Sequence, residues 1–152
     1  MRVRRPYQPT LAALIVLTSA APAAAQKDVP FKASFDGVIV ASIGNRFTAL
    51  DAGEATHLGQ FTAVQTYVFS SATDFTGSVV FVAANGDMLD GTFEGVDTPA
   101  GALMGTFTLD GGTGRFSSAT GEGMFVGIDN RDGTFTAGLN GTISYKASDR
   151  GH

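Results

Sequence analysis

His57 stands three residues after Glu54 and six after Asp51 in a stretch that ends GEATHLGQF. An imidazole beside a carboxylate suits general-base chemistry, because histidine changes charge near neutral pH and a carboxylate can orient its ring. The stretch supplies one element of a catalytic site and none of the others. The preferred reading of His57 is therefore an imidazole that ties down the loop entering a strand. Alternation along FKASFDGVIVASI places Asp36 with Lys32 and Ser34, opposite the phenylalanines, where water is its expected partner. His57, Glu54 and Asp36 are the candidate acid–base groups, and each stands without the rest of a site.

Leu109–Gly123, LDGGTGRFSSATGEG, has the glycine content of a phosphate cradle. The Walker spacing is absent, and Ser117 follows Gly112 and Gly114 where a dinucleotide fingerprint needs glycine ahead of a helix. The glycines better serve to let the chain leave one strand, turn and enter the next, with Arg115 pointing outward. DNRDG fails as an EF-hand, since Arg131 and Gly133 stand where ligands belong, and NGDMLDG reads as a hairpin turn. Ser117 and Ser118 lack a nucleophile elbow. With no cysteine and one histidine away from the terminus, neither a metal site nor a cofactor is expected.

The elements that must position these groups are strands. Segments such as FKASFDGVIVASI, QFTAVQTYVFS, FTGSVVFVAA and ALMGTFTLD alternate with period two, and no stretch holds a helical period over three turns. In the first, Phe31, Ala33, Phe35, Gly37, Ile39, Ala41 and Ile43 share a face. Asn85-Gly86-Asp87 marks a tight hairpin. GTF at Gly91, Gly105 and Gly133 has no fixed period, which excludes a solenoid and suggests strands that start on glycine at barrel corners. Seven or eight antiparallel strands are expected, with closure removing exposed edges.

The N-terminus reads as a secretory signal: Arg2, Arg4 and Arg5, a short apolar run from Leu11 to Ala21, and Ala23-Ala24-Ala25 before the cut. The run is too short to span a membrane. Residues 1–25 are the expected signal peptide and 26–152 a single domain, exported to the periplasm or medium. That domain keeps seven Lys and Arg against all 14 Asp and Glu, a net charge of −7 with both His neutral. Such a surface repels phosphate backbones, so nucleic acid is excluded as a partner.

GTFTLD followed by GGTGRFSSATGEG resembles the segment shared by allene oxide cyclase and dirigent barrels. Gly111, Gly112, Thr113, Gly114, Phe116 and Gly121 fit the pattern there of a glycine-rich turn between two strands. HLGQFT and AANGDMLDGTFEG resemble elements of exported bacterial relatives. The resemblance implies a calycin-like, all-β, eight-stranded antiparallel barrel with an apolar cavity, needing neither metal nor nucleotide. It also implies a homodimer or homotrimer. It carries no catalysis over, because the first strand lacks the glutamate and asparagine of the cyclase, and the dirigent acid-and-arginine set has no assured counterpart. Phe35, Phe61, Tyr67, Phe107 and Phe125 are the expected cavity lining. The leading expectation is a non-catalytic binder of a small hydrophobic ligand, or an envelope protein of unknown ligand. A cofactor-free cyclase or isomerase and a structural homo-oligomer are the alternatives.

Overall fold

The computed structural model describes residues 28–146, so the expected signal segment 1–25 and the last six residues lie outside the described part. Eight strands run through it: β1 (Val29–Ile43), β2 (Arg46–Ala55), β3 (Gly59–Phe69), β4 (Asp74–Val82), β5 (Met88–Asp97), β6 (Ala102–Gly112), β7 (Thr120–Asp129) and β8 (Thr134–Ser144). Each pairs antiparallel with the next, and β8 returns to β1, closing an all-β barrel. Among the described residues no helix is long and apolar enough to cross a membrane.

Seven of these strands follow from alternation. The eighth, β2, does not announce itself, because the side chains it turns inward include a carboxylate, Asp51, and a bare glycine, Gly53. In β1 the inward face holds from Phe31 to Ile39. A bulge between Ile39 and Ala41 then adds a residue and reverses the facing, so Ala41 and Ile43 finish outside, with Ile43 82% exposed. The turn at Asn85 is also wider than expected. Of its three residues only Gly86 has positive φ, and Asn85 Oδ1 accepts from the Asp87 N–H at 3.0 Å.

Of the three repeated glycines, Gly133 immediately precedes β8 and Gly91 sits at a bulge, but neither Gly91 nor Gly105 marks a strand start. Gly91 lies inside β5 and Gly105 inside β6. Gly95 and Gly105 oppose each other across β5 and β6, and Phe125 on β7 lies opposite Gly105. A Cβ on either glycine would meet the Phe125 ring at 2.6 Å, so the ring lies on bare backbone. Glycine here makes room for an aromatic ring rather than for a bend.

The two ends of the barrel differ. The β2–β3, β4–β5 and β6–β7 connections gather at one end and the other four at the opposite end. The first end is plugged. At the end of β6 the chain passes Gly111 and Gly112 and enters a single 3₁₀ turn, Gly114–Phe116; all three glycines have positive φ, while Gly121 already belongs to β7. Phe116 is fully buried and meets the Tyr145 ring at 5.3 Å, beside a core of Phe31, Leu58, Leu89 and Ile143. Arg115 does not point away as expected. Its guanidinium lies 4.6 Å over the Phe116 ring and its Nε is 3.5 Å from Asp87.

Truncating the plug removes a large, fully buried ring from the core. Phe116→Ala is expected to cost roughly 3–5 kcal/mol, read as a lower urea midpoint with an unchanged slope. The exposed neighbour Ser117→Ala should move stability by less than about 0.5 kcal/mol. Equal effects from the two would show that the turn is not a plug.

Candidate functional site

Towards the other end the interior is hollow. A cavity of about 270 Å³ is walled by aromatic rings, among them Phe35, Phe47, Tyr67, Phe93, Phe125 and Phe135. The rings pack mostly edge to face, and Tyr67 stacks on Phe47 at 5.4 Å and 15°. Rings with two χ angles and flat faces fill a cylinder incompletely, which is how a barrel rich in phenylalanine keeps a void. The polar side chains that reach the cavity are few: Asp51, Gln65, Tyr67, Asp97, Asp129 and Arg131, while Thr92 and Thr108 turn their side chains outward.

Asp51 sits in the wall. β2 places it opposite Gly37 of β1 and Ala63 of β3, two small neighbours that leave its carboxyl room inside the barrel. It is 4% exposed. The Gln65 amide donates to its Oδ2 at 2.6 Å, and Oδ1 has no hydrogen-bond partner. Burial pushes the carboxyl up from 3.8 to about 7, with the Gln65 bond pulling weakly the other way. Tyr67 is pushed up to about 12, first by burial and then by the charges of Asp129, Asp51 and Asp97. One hydroxyl thus feels three carboxylates, so all three act on the same space.

The rim carries the second polar group. Asp97 ends β5, Asp129 ends β7, and Arg131 stands in the β7–β8 turn with φ of 60°. The Arg131 guanidinium holds Asp97 through two bonds of 3.1 and 3.2 Å, reaches Asp129 at 3.2 Å and donates to the Thr98 carbonyl. This fork ties the β5–β6 turn to the β7–β8 turn beside the opening. Asp97 is nonetheless pushed up to about 6, by burial and by Asp129, with Arg131 opposing.

Of the residues expected to line a cavity, Phe35, Tyr67, Phe107 and Phe125 do so. Phe61 does not. It is buried in the packed core, edge-on to Phe81 at 5.3 Å and to Phe35 at 6.2 Å. The three acid–base candidates are not brought together. Asp36 and Glu54 are exposed on the outer face. His57 is at the plugged end, with Nε2 donating to the Pro30 carbonyl at 3.1 Å and Nδ1 bonded to the Tyr145 hydroxyl at 2.9 Å. It anchors the β2–β3 turn and the end of β8. Asp51, Gln65, Asp97, Asp129 and Arg131 were not among the expected site residues. Asp51 had a readable signal, a lone carboxylate in phase with the apolar face of Phe47 and Ala49. Among the described residues no group of three His, Asp or Glu converges where it could hold a metal ion.

The Asp51 proton is linked to folding. Its folded pKa lies above its unfolded one, so its contribution to stability is full below pH 3.8 and is lost as the pH rises through about 7. The loss is about 4 kcal/mol. Asp51→Asn keeps the shape and drops the charge. It should match the wild type at pH 4 and exceed it by a few kcal/mol at pH 8 on urea denaturation. The same difference at both pH values would mean that Asp51 ionises as freely in the fold as in the open chain.

No family model matches the chain, and no curated protein does. Among solved structures, the pterocarpan synthase dirigent protein GePTS1 superposes with a TM-score of 0.54 at 16% identity, over 83% of this chain and 90% of that one. At that identity the likeness is one of architecture, and by architecture the chain is a dirigent-like, eight-stranded antiparallel barrel.

Proposed function

We propose that the barrel binds a small, largely apolar molecule in its hollow end. The observation that carries this is the cavity of about 270 Å³, aromatic on its walls and supplied with one buried carboxyl. An apolar cavity of about 150 Å³ takes up benzene, so this one suits a body of one or two rings. Apolar contacts would supply the affinity, and Asp51 and Gln65 would fix orientation through one polar group. A purely structural role gains nothing from such a hollow, since filling it would add contacts. The pattern of residues 1–25 favours binding outside the cytoplasm.

A second reading is proton transfer without a cofactor, as in a cyclase or isomerase. Asp51 favours it, because an unpartnered oxygen and a pKa near neutrality suit a group that gives or takes a proton. The structural neighbour is named a synthase, which supports this reading of the same barrel. Asp51 takes the role first considered for His57, Glu54 and Asp36.

Filling the hollow tests the binding reading. Ala137 lines the cavity, and Ala137→Phe should occupy it while leaving the strands paired. Naphthalene fluorescence is expected to shift on adding wild type and to lose at least tenfold in affinity with the variant. Equal binding by both proteins would place the probe elsewhere and remove the cavity from the function.

A further inference from the structure

We infer that the ligand of this cavity is a cation: a small protonated amine on an aromatic or aliphatic body, its ammonium seated against Asp51 and the ring faces. The inference rests on the binding reading and narrows it to one chemical class.

The charges that reach the cavity do not balance. Three carboxylates, Asp51, Asp97 and Asp129, face it with a single guanidinium, Arg131, and no lysine or histidine. Arg131 is committed to the rim, bonded to both Asp97 and Asp129. Asp51 is left with an amide on one oxygen and nothing on the other, at 4% exposure. A buried carboxylate is normally paired with a cation, and among the described residues none supplies one to Asp51. The missing partner can arrive with the ligand.

The walls favour the same sign. Ring faces are the negative part of an aromatic quadrupole and attract ammonium groups, more strongly when water is excluded. Tyr67 and Phe47 form a stacked pair, and the rings of Phe69, Phe75 and Phe93 lie 5.9–6.4 Å from Tyr67. Burial first, and then the charges of Asp129, Asp51 and Asp97, push the Tyr67 hydroxyl up to about 12, so the three carboxylates act on the space beside it. An anionic ligand of equal shape meets three carboxylates and is repelled. A neutral one gains the apolar contacts and leaves Asp51 without a counter-charge.

Cation binding also has a proton signature. An ammonium beside Asp51 favours the ionised carboxylate, so between pH 5 and 7 binding should expel a proton from it. A neutral ligand has no such requirement.

The test compares three probes of one shape by titration calorimetry: 2-phenylethylamine, 2-phenylethanol and 3-phenylpropionate. The wild type should prefer the amine over the alcohol by at least tenfold at pH 8, with the carboxylate the weakest. The preference should shrink as the pH falls below 7. At pH 6 the amine heat should depend on the ionisation enthalpy of the buffer, reporting released protons. Asp51→Asn, checked for folding by its melting curve, should cut the amine-to-alcohol preference about tenfold. Alcohol binding as tight as amine, or a preference unchanged by Asp51→Asn, would overturn the cation and leave the apolar site standing. If none of the three probes binds, and naphthalene does not bind either, the binding reading falls with it.

Discussion

The pairing of β8 with β1 is the constraint on which the rest of this molecule depends. Ten residues of β1, from Val29 to Val38, run in unbroken register against β8. That seam satisfies the last free backbone groups and leaves the sheet without an edge. It also fixes the interior. Once eight strands are closed, the volume inside is set by strand number and stagger, and side chains must fit it rather than define it. A helical bundle can draw in around a missing ring, whereas a closed hydrogen-bonded wall cannot.

The chain fills that fixed volume unevenly. At one end aliphatic side chains, Leu58, Leu89, Leu109 and Ile143, join Phe31 and Phe116 in a core with almost no exposed surface. Branched, deformable groups can interdigitate there, and the 3₁₀ turn adds a ring from outside the sheet. Towards the mouth the same job falls to flat rings. Phe125 lies on Gly95 and Gly105 while meeting Phe93 edge to face, and the bare backbone lets the ring sit close to the wall. Glycine under aromatic rings is therefore a way of lining a barrel without filling it. The plugged end stabilises the closure, and the open end is free to hold something else.

How much of this was legible in the sequence follows from the same physics. Strands whose inward faces are runs of Phe, Val, Leu and Ala reveal themselves by alternation, and the glycine segment before Phe116 pointed to the right architecture. What escaped was tied to the site. β2 was overlooked because Asp51 and Gly53 interrupt its apolar face, and Asp51 interrupts it because it serves the cavity. The rim escaped for a different reason. Asp97 and Arg131 are 34 residues apart, and nothing local links them. They meet because alternate connections of an up-and-down barrel return to the same end, so the topology had to be known before the pair could be seen. His57 misled in the opposite direction: its chemistry was conspicuous, and the fold uses it as an anchor to Pro30 and Tyr145.

Asp51 is thus the point where local rules and global structure disagree. A leucine or valine there would continue the apolar face of β2, and an asparagine would keep the Gln65 contact without the cost of burying a charge. Net stabilities of domains this size are about 5–15 kcal/mol, so a carboxyl held some three units above its ordinary pKa consumes a noticeable share of the margin. Asp97 at the rim differs, since Arg131 offsets part of its burial. Such a conflict is expected where a residue is kept for what it does to a bound molecule rather than for the fold. The outer-face acids Asp36 and Glu54 present no conflict, because water already solvates them. Among the described carboxylates, the one that solubility and folding can least explain lines the hollow end of the barrel and keeps a buried oxygen unpaired.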